Sequence, residues 1–132
     1  MLTLEGHTEP VTGMRVSPRG DMLLTTAMDN QVRMWDIQPF CKGDRCVRTM
    51  QGVAHTAEMQ LLRTAWSADS KHVASGSSDG FCLVWAADTG KLAYKLPGHA
   101  GSVNAVDFHP REPIIGSGSS DTKVFLGELA DE

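Results

Sequence analysis

The chain repeats three residue types that could together do acid–base or nucleophilic chemistry. The sets are His7, Thr25 and Asp29; His55, Ser75 and Asp79; and His99, Ser117 and Asp121. A carboxylate, an imidazole and a hydroxyl in one hydrogen-bonded line can activate the hydroxyl for acyl transfer. A hydrolase would need one exposed nucleophile, an oxyanion hole and a substrate pocket. Here all three types recur with a period: the histidines lie 48 and 44 residues apart, the aspartates 50 and 42. That regularity assigns the residues to a part each repeat needs for itself, and no catalytic residue is assigned. A third reading, an enzyme, would require a pocket with perturbed titratable groups.

Other motifs are weaker. His55 and Glu58 are three apart, but the second histidine of HExxH is missing. The run GSGSSD at 116–121 is not a phosphate-binding GxxxxGK[ST] loop. Cys41, Cys46 and Cys82 are odd in number and do not offer four ligands at zinc spacing. They read as free thiols; the alternative for the loop pair Cys41 and Cys46 is a disulfide or metal role. No cofactor and no metal are expected.

The elements that must position these residues are short strands. Three segments align, 4–37, 50–86 and 96–129. Strands are predicted over Val11–Val16, Met22–Ala27 and Val32–Ile37; over Leu61–Trp66, His72–Ser75 and Phe81–Trp85; and over Val103–Phe108, Ile114–Ser117 and Lys123–Leu126. Cys46–Met50 and Leu92–Leu96 each add a fourth strand, and Met1–Leu4 reads as an outer strand. Met14, Val16, Trp66, Val106 and Phe108 should face a buried layer. No segment of 10–15 residues has a helical pattern between strands, which removes a βαβ reading.

Composition narrows the function. The chain has 132 residues, 41% of them hydrophobic and 21% charged, enough for a core. The net charge of −4 disfavours a broad nucleic-acid face. Trp66 reads as core rather than a base-stacking platform, and Arg33, Arg45, Arg48 and Arg63 as solvated surface. No apolar run approaches membrane-helix length and no signal peptide is visible near Met1, so a cytosolic or nuclear protein is expected.

The GH and AH turns, the SGSSD runs at 75–79 and 117–121 and the Trp35-Asp36 dipeptide resemble the WD40 β-propeller family. The segments AMDNQVRMWDIQPF, LLRTAWSADS and YKLPGHAGSVNAVDFHP, with the inserted loop 38–45, resemble its U5 small nuclear ribonucleoprotein branch. The resemblance implies an all-β partial propeller of three repeats from a seven-bladed parent. In its pattern a strand tryptophan joins each set, giving Trp35 and Trp85; Gly127 stands at that place in the third repeat, which should lose an indole donor and its packing area. It also implies a non-catalytic scaffold in the nucleus, acting in pre-mRNA splicing, with the large U5 scaffold protein as partner and RNA contact at most indirect. The alternative is an adaptor in a ubiquitin ligase or chromatin complex. Propellers bind through rim loops, which points to Glu9, Met28, Gln60, Ser78 and Ser120. Three blades cannot close alone, so either the chain is part of a longer protein or its open blade edges self-associate.

Overall fold

A computed structural model describes residues 3–40, 43–51 and 63–129. Among these residues eleven strands are formed: β1 Val11–Val16, β2 Met22–Ala27, β3 Gln31–Asp36, β4 Cys46–Gln51, β5 Thr64–Trp66, β6 His72–Gly76, β7 Cys82–Ala86, β8 Leu92–Leu96, β9 Val103–Phe108, β10 Ile114–Ser119 and β11 Val124–Glu128. They make three antiparallel sheets in chain order, β1-β2-β3-β4, β5-β6-β7-β8 and β9-β10-β11. Each sheet is one blade. Among the described residues there is no helix, and so none long and apolar enough to cross a membrane.

The tight β1–β2 turn follows from its residues. Ser17 Oγ donates to Asp21 and accepts from Met22 N, so one hydroxyl serves two partners. Blade two repeats this with Ser67, which donates to Asp69 at 2.6 Å and accepts from His72 N. In blade three the place belongs to His109, whose Nδ1 accepts from Arg111 N and Glu112 N, both at 3.0 Å. An imidazole nitrogen here does the work of a serine oxygen as an acceptor for turn amides.

The core lies between blades rather than within them. Leu24, Val32, Met34 and Met50 of blade one close on Val73, Leu83 and Trp85 of blade two. Ala65, Ala74, Cys82 and Val84 on the other side of blade two close on Val103, Val106, Ile115 and Leu129 of blade three. Burial pushes the Cys82 thiol up to about 12, which leaves it an inert packing group. Cys41 lies outside the described residues.

Two expectations need correction. Val106 is buried, and Trp66 and Phe108 are half-buried, but Met14 and Val16 are exposed. All five point to the same side of their own blade. For Trp66 that side meets blade one, and for Val106 and Phe108 it meets blade two. For Met14 and Val16 no described sheet lies there. Thr3 and Leu4 are not in a strand, while Met1 and Leu2, like Leu61 and Leu62, lie outside the described residues.

Candidate functional site

The first set forms a continuous line across the end of blade one. Thr25 stands in the central strand β2, Trp35 beside it on β3, Asp29 in the turn joining them, and His7 in the loop before β1. Trp35 Nε1 donates to Thr25 Oγ1 at 2.9 Å. Thr25 Oγ1 lies 2.7 Å from His7 Nε2, and His7 Nδ1 lies 2.9 Å from Asp29 Oδ2. One proton assignment satisfies every atom. The indole gives to the hydroxyl oxygen, the hydroxyl gives to Nε2, and Nδ1–H gives to the carboxylate. Asp29 also accepts from Thr8 N and Gln31 N, so one carboxylate ties the entering loop to its own turn.

Blade three has the same line with a different end. His99 Nε2 lies 2.9 Å from Ser117 Oγ, and His99 Nδ1 lies 3.1 Å from Asp121 Oδ2. Asp121 accepts further bonds from Ala100 N and Lys123 N. Gly127 provides no indole, but the packing is not lost. Phe125, two residues earlier on β11, stacks on His99 with ring centroids 4.1 Å apart and planes 21° apart. The expected loss of packing is therefore corrected at the histidine, on which Phe125 stacks, while the indole donor has no substitute in Phe125. Sequence reading missed this because it looked for an aromatic only at the tryptophan position.

Blade two is seen in part. Ser75 is fully buried and its Oγ donates to Gly76 O at 3.0 Å; Asp79 accepts from Phe81 N. Trp85 is buried opposite Val73. His55 lies outside the described residues, as does Gln60. The other rim residues share one end of the blades. Met28, Ser78 and Ser120 occupy equivalent places before the turn residues Asp29, Asp79 and Asp121, and Met28 N donates to Pro10 O beside Glu9. Glu9 and Ser120 are exposed, Met28 and Ser78 half-buried. The hydroxyls of Ser120 and Ser102 are 3.2 Å apart.

The Asp–His–hydroxyl order is that of a triad, so its surroundings decide what it can do. Thr25 and Ser117 stand in central strands, paired on both sides by β-ladders. Their neighbouring amides are occupied by the sheet and cannot form an oxyanion hole. In blade one the hydroxyl oxygen already accepts the indole proton. Among the described residues no group of three or more His, Cys, Asp or Glu side chains gathers as a metal shell.

The electrostatics favour the ionised carboxylates. Burial alone would raise Asp29, but bonds from His7, Thr8 N and Gln31 N outweigh it and hold the group below the ordinary carboxylate value. Asp121 faces the same opposition and is brought down to about 2 by Ala100 N, Lys123 N, His99 and Ser119. A carboxylate whose folded value lies below its unfolded one stabilises above the unfolded value and loses that contribution as pH falls through the folded value. Urea midpoints should therefore drop between about pH 4 and pH 2. Asp121→Asn should lower the midpoint at neutral pH and flatten that acid dependence. Equal slopes for parent and variant would remove Asp121 from this account.

Residues 1–36, 44–86 and 90–126 match the WD domain, G-beta repeat. The chain is 51% identical over 127 residues to the U5 small nuclear ribonucleoprotein 40 kDa protein of Bos taurus, covering 96% of this chain and 36% of that protein. It is 49% identical over 126 residues to the pre-mRNA-splicing factor cwf17 of Schizosaccharomyces pombe, covering 96% and 37%. The solved structure of U3-55K superposes with a TM-score of 0.82 at 23% identity, over 96% of this chain and 38% of that one, which speaks to fold. The chain thus spans little more than a third of the length of these proteins.

Proposed function

We propose, because this chain belongs to the WD domain, G-beta repeat family, that it acts as a non-catalytic protein-interaction scaffold in a U5 ribonucleoprotein involved in pre-mRNA splicing. The observation carrying this reading is the roughly one-in-two identity, over 96% of the chain, to proteins named for U5 and for splicing in animals and fission yeast. A more distant WD-repeat relative, a WD repeat-containing protein 26 homolog of Arabidopsis thaliana, is only 30% identical over 122 residues.

In this reading the His–hydroxyl–Asp lines are locks. They fix the loops 7–10 and 99–102 against the turns carrying Met28 and Ser120, so that Glu9, Met28, Ser78 and Ser120 present a rigid rim to a protein partner; Gln60, the fifth residue of the expected rim, lies outside the described residues. A rim held by part-buried hydrogen bonds loses little conformational entropy when a partner docks. The partner is the large U5 scaffold protein, the compartment is the nucleus, and RNA is reached through protein partners.

Affinity capture from nuclear extract tests the reading. The tagged chain should retain U5 proteins after ribonuclease digestion, and a Glu9→Ala, Ser120→Arg variant should recover several-fold less. Recovery of ligase or chromatin subunits instead of U5 proteins would reject the assignment. Loss of U5 proteins on digestion would reject the protein-mediated contact.

A further inference from the structure

The turns that enter the central strands lie at the end of each blade opposite the His–hydroxyl–Asp lines, and two of the three close on a serine. Ser17 and Ser67 each accept a main-chain amide and give their own proton to an aspartate, Asp21 and Asp69. A hydroxyl does not change its protonation near neutrality, so these two closures are indifferent to pH there. Blade three closes on an imidazole instead. His109 Nδ1 lies 3.0 Å from both Arg111 N and Glu112 N. Two N–H groups aimed at one ring nitrogen leave it no proton of its own. Nδ1 accepts, and the proton of the neutral ring sits on Nε2. An imidazolium carries a proton on both nitrogens and accepts nothing. The closed turn therefore admits only the neutral ring.

We infer that the β9–β10 turn is a protonation switch: it is closed while His109 is neutral and opens when the ring takes a second proton, which releases Arg111 N and Glu112 N. The turn is tied to the joint with blade two. His109 N donates to Ile114 O, and Leu129 N donates to Pro113 O at 2.7 Å, which holds Leu129 in the buried layer between the blades. Opening the turn slackens that tie. The cationic side chains that share a hollow with His109 are Arg111 of its own turn, Arg19 of blade one and Lys71 of blade two, with the imidazole of His72 and the phenol of Tyr94. The anionic ones are Glu112, Asp69 and Asp88. Asp69 is already engaged by Ser67 Oγ and Lys71 N, whose bonds hold it below the ordinary carboxylate value, so it keeps its charge while an imidazole titrates. The closed turn binds one proton fewer than the open one. Acid therefore favours the open form, and closure is lost as pH falls through the range in which imidazoles titrate, about pH 6.5.

Nuclear magnetic resonance of the full chain tests this. At about pH 8, well above the imidazole range, the His109 ring should be the Nε2–H tautomer, with Nδ1 resonating as an acceptor nitrogen. As pH is lowered to about 5.5, the amide protons of Arg111 and Glu112 should move upfield together with the ring titration, and the Leu129 amide should respond with them. His109→Asn supplies the control. Its Oδ1 stands on Cγ as Nδ1 does, can accept the same turn amides and does not titrate. The exposed position tolerates the change, and in the variant all three amides should hold still over the same range. A ring with its proton on Nδ1 at the higher pH overturns the proposal. Arg111 and Glu112 amides that stay downfield while the ring protonates overturn it as well, and so does a Leu129 amide that ignores the transition. A response that persists in His109→Asn would assign it to another group, His72 first, and equally ends the proposal.

Discussion

Trp85→Ala is expected to lower the unfolding free energy by about 3–5 kcal/mol, measured by urea denaturation at neutral pH. Trp85 is 1% exposed. It stands opposite Val73 on the central strand of blade two and belongs to the layer formed with Leu24, Val32, Met34 and Met50 of blade one. Removing the indole therefore opens a cavity at the joint between two blades, where neither sheet can collapse without breaking its own ladders. The wall includes polar anchors that resist relaxation: Trp66 Nε1 donates to Arg15 O at 3.0 Å, and Arg48 Nε donates to Ala87 O at 3.1 Å. Trp66→Ala should cost less, because Trp66 is only half-buried in the same layer. If Trp85→Ala costs no more than Trp66→Ala, depth of burial in this layer does not set the cost.

How much of this was legible in the sequence depends on whether a residue's role is local. The strands β1, β2, β8 and β9 occur with the bounds the turn signals predict, because glycine, proline, serine and aspartate punctuate the chain at each end. The other described strands differ by one or a few residues, as β10 does in running to Ser119 rather than Ser117, since a ladder continues while its partner strand supplies bonds. The His7, Thr25, Asp29 and Trp35 line was readable from spacing and family pattern, each member being tied to a turn or a strand position. Packing across blades was not readable. Met14 and Val16 have the periodicity of a buried face, yet periodicity reports which side a residue points to and not whether anything lies there. Phe125 was missed for a related reason. Its sequence position aligns with Arg33, and only the pleat shows that both reach the same histidine-bearing loop, where a Cβ on Gly98 would sit 3.0 Å from the Phe125 ring and one on Gly6 2.9 Å from the Arg33 guanidinium.

The second large effect separates two glycines that the sequence makes equivalent. Gly76→Ala should cost about 3 kcal/mol or more, at or beyond the usual upper end for overpacking. Gly118→Ala should instead leave the monomer unchanged or stabilise it by about 0.4–1 kcal/mol through the unfolded chain. Neither glycine has a left-handed backbone, so the difference is one of space. A Cβ on Gly76 would lie 1.9 Å from the carbonyl oxygen of Val103, whereas one on Gly118 would meet nothing within 4 Å. At Gly76 the new methyl meets a backbone carbonyl, not the end of a flexible side chain, and that carbonyl cannot retreat freely. Val103 N donates to Ser77 O at 2.9 Å, and Arg63 N donates to Asn104 O at 3.0 Å, so the two blades are stitched on both sides of the clash. Trimming the neighbour should not help: Gly76→Ala combined with Val103→Ala should remain at least as unstable as Gly76→Ala alone, because the obstructing atom belongs to the main chain. Rescue by that second substitution would place the clash in the side chain and contradict the geometry. Urea denaturation at neutral pH measures both terms.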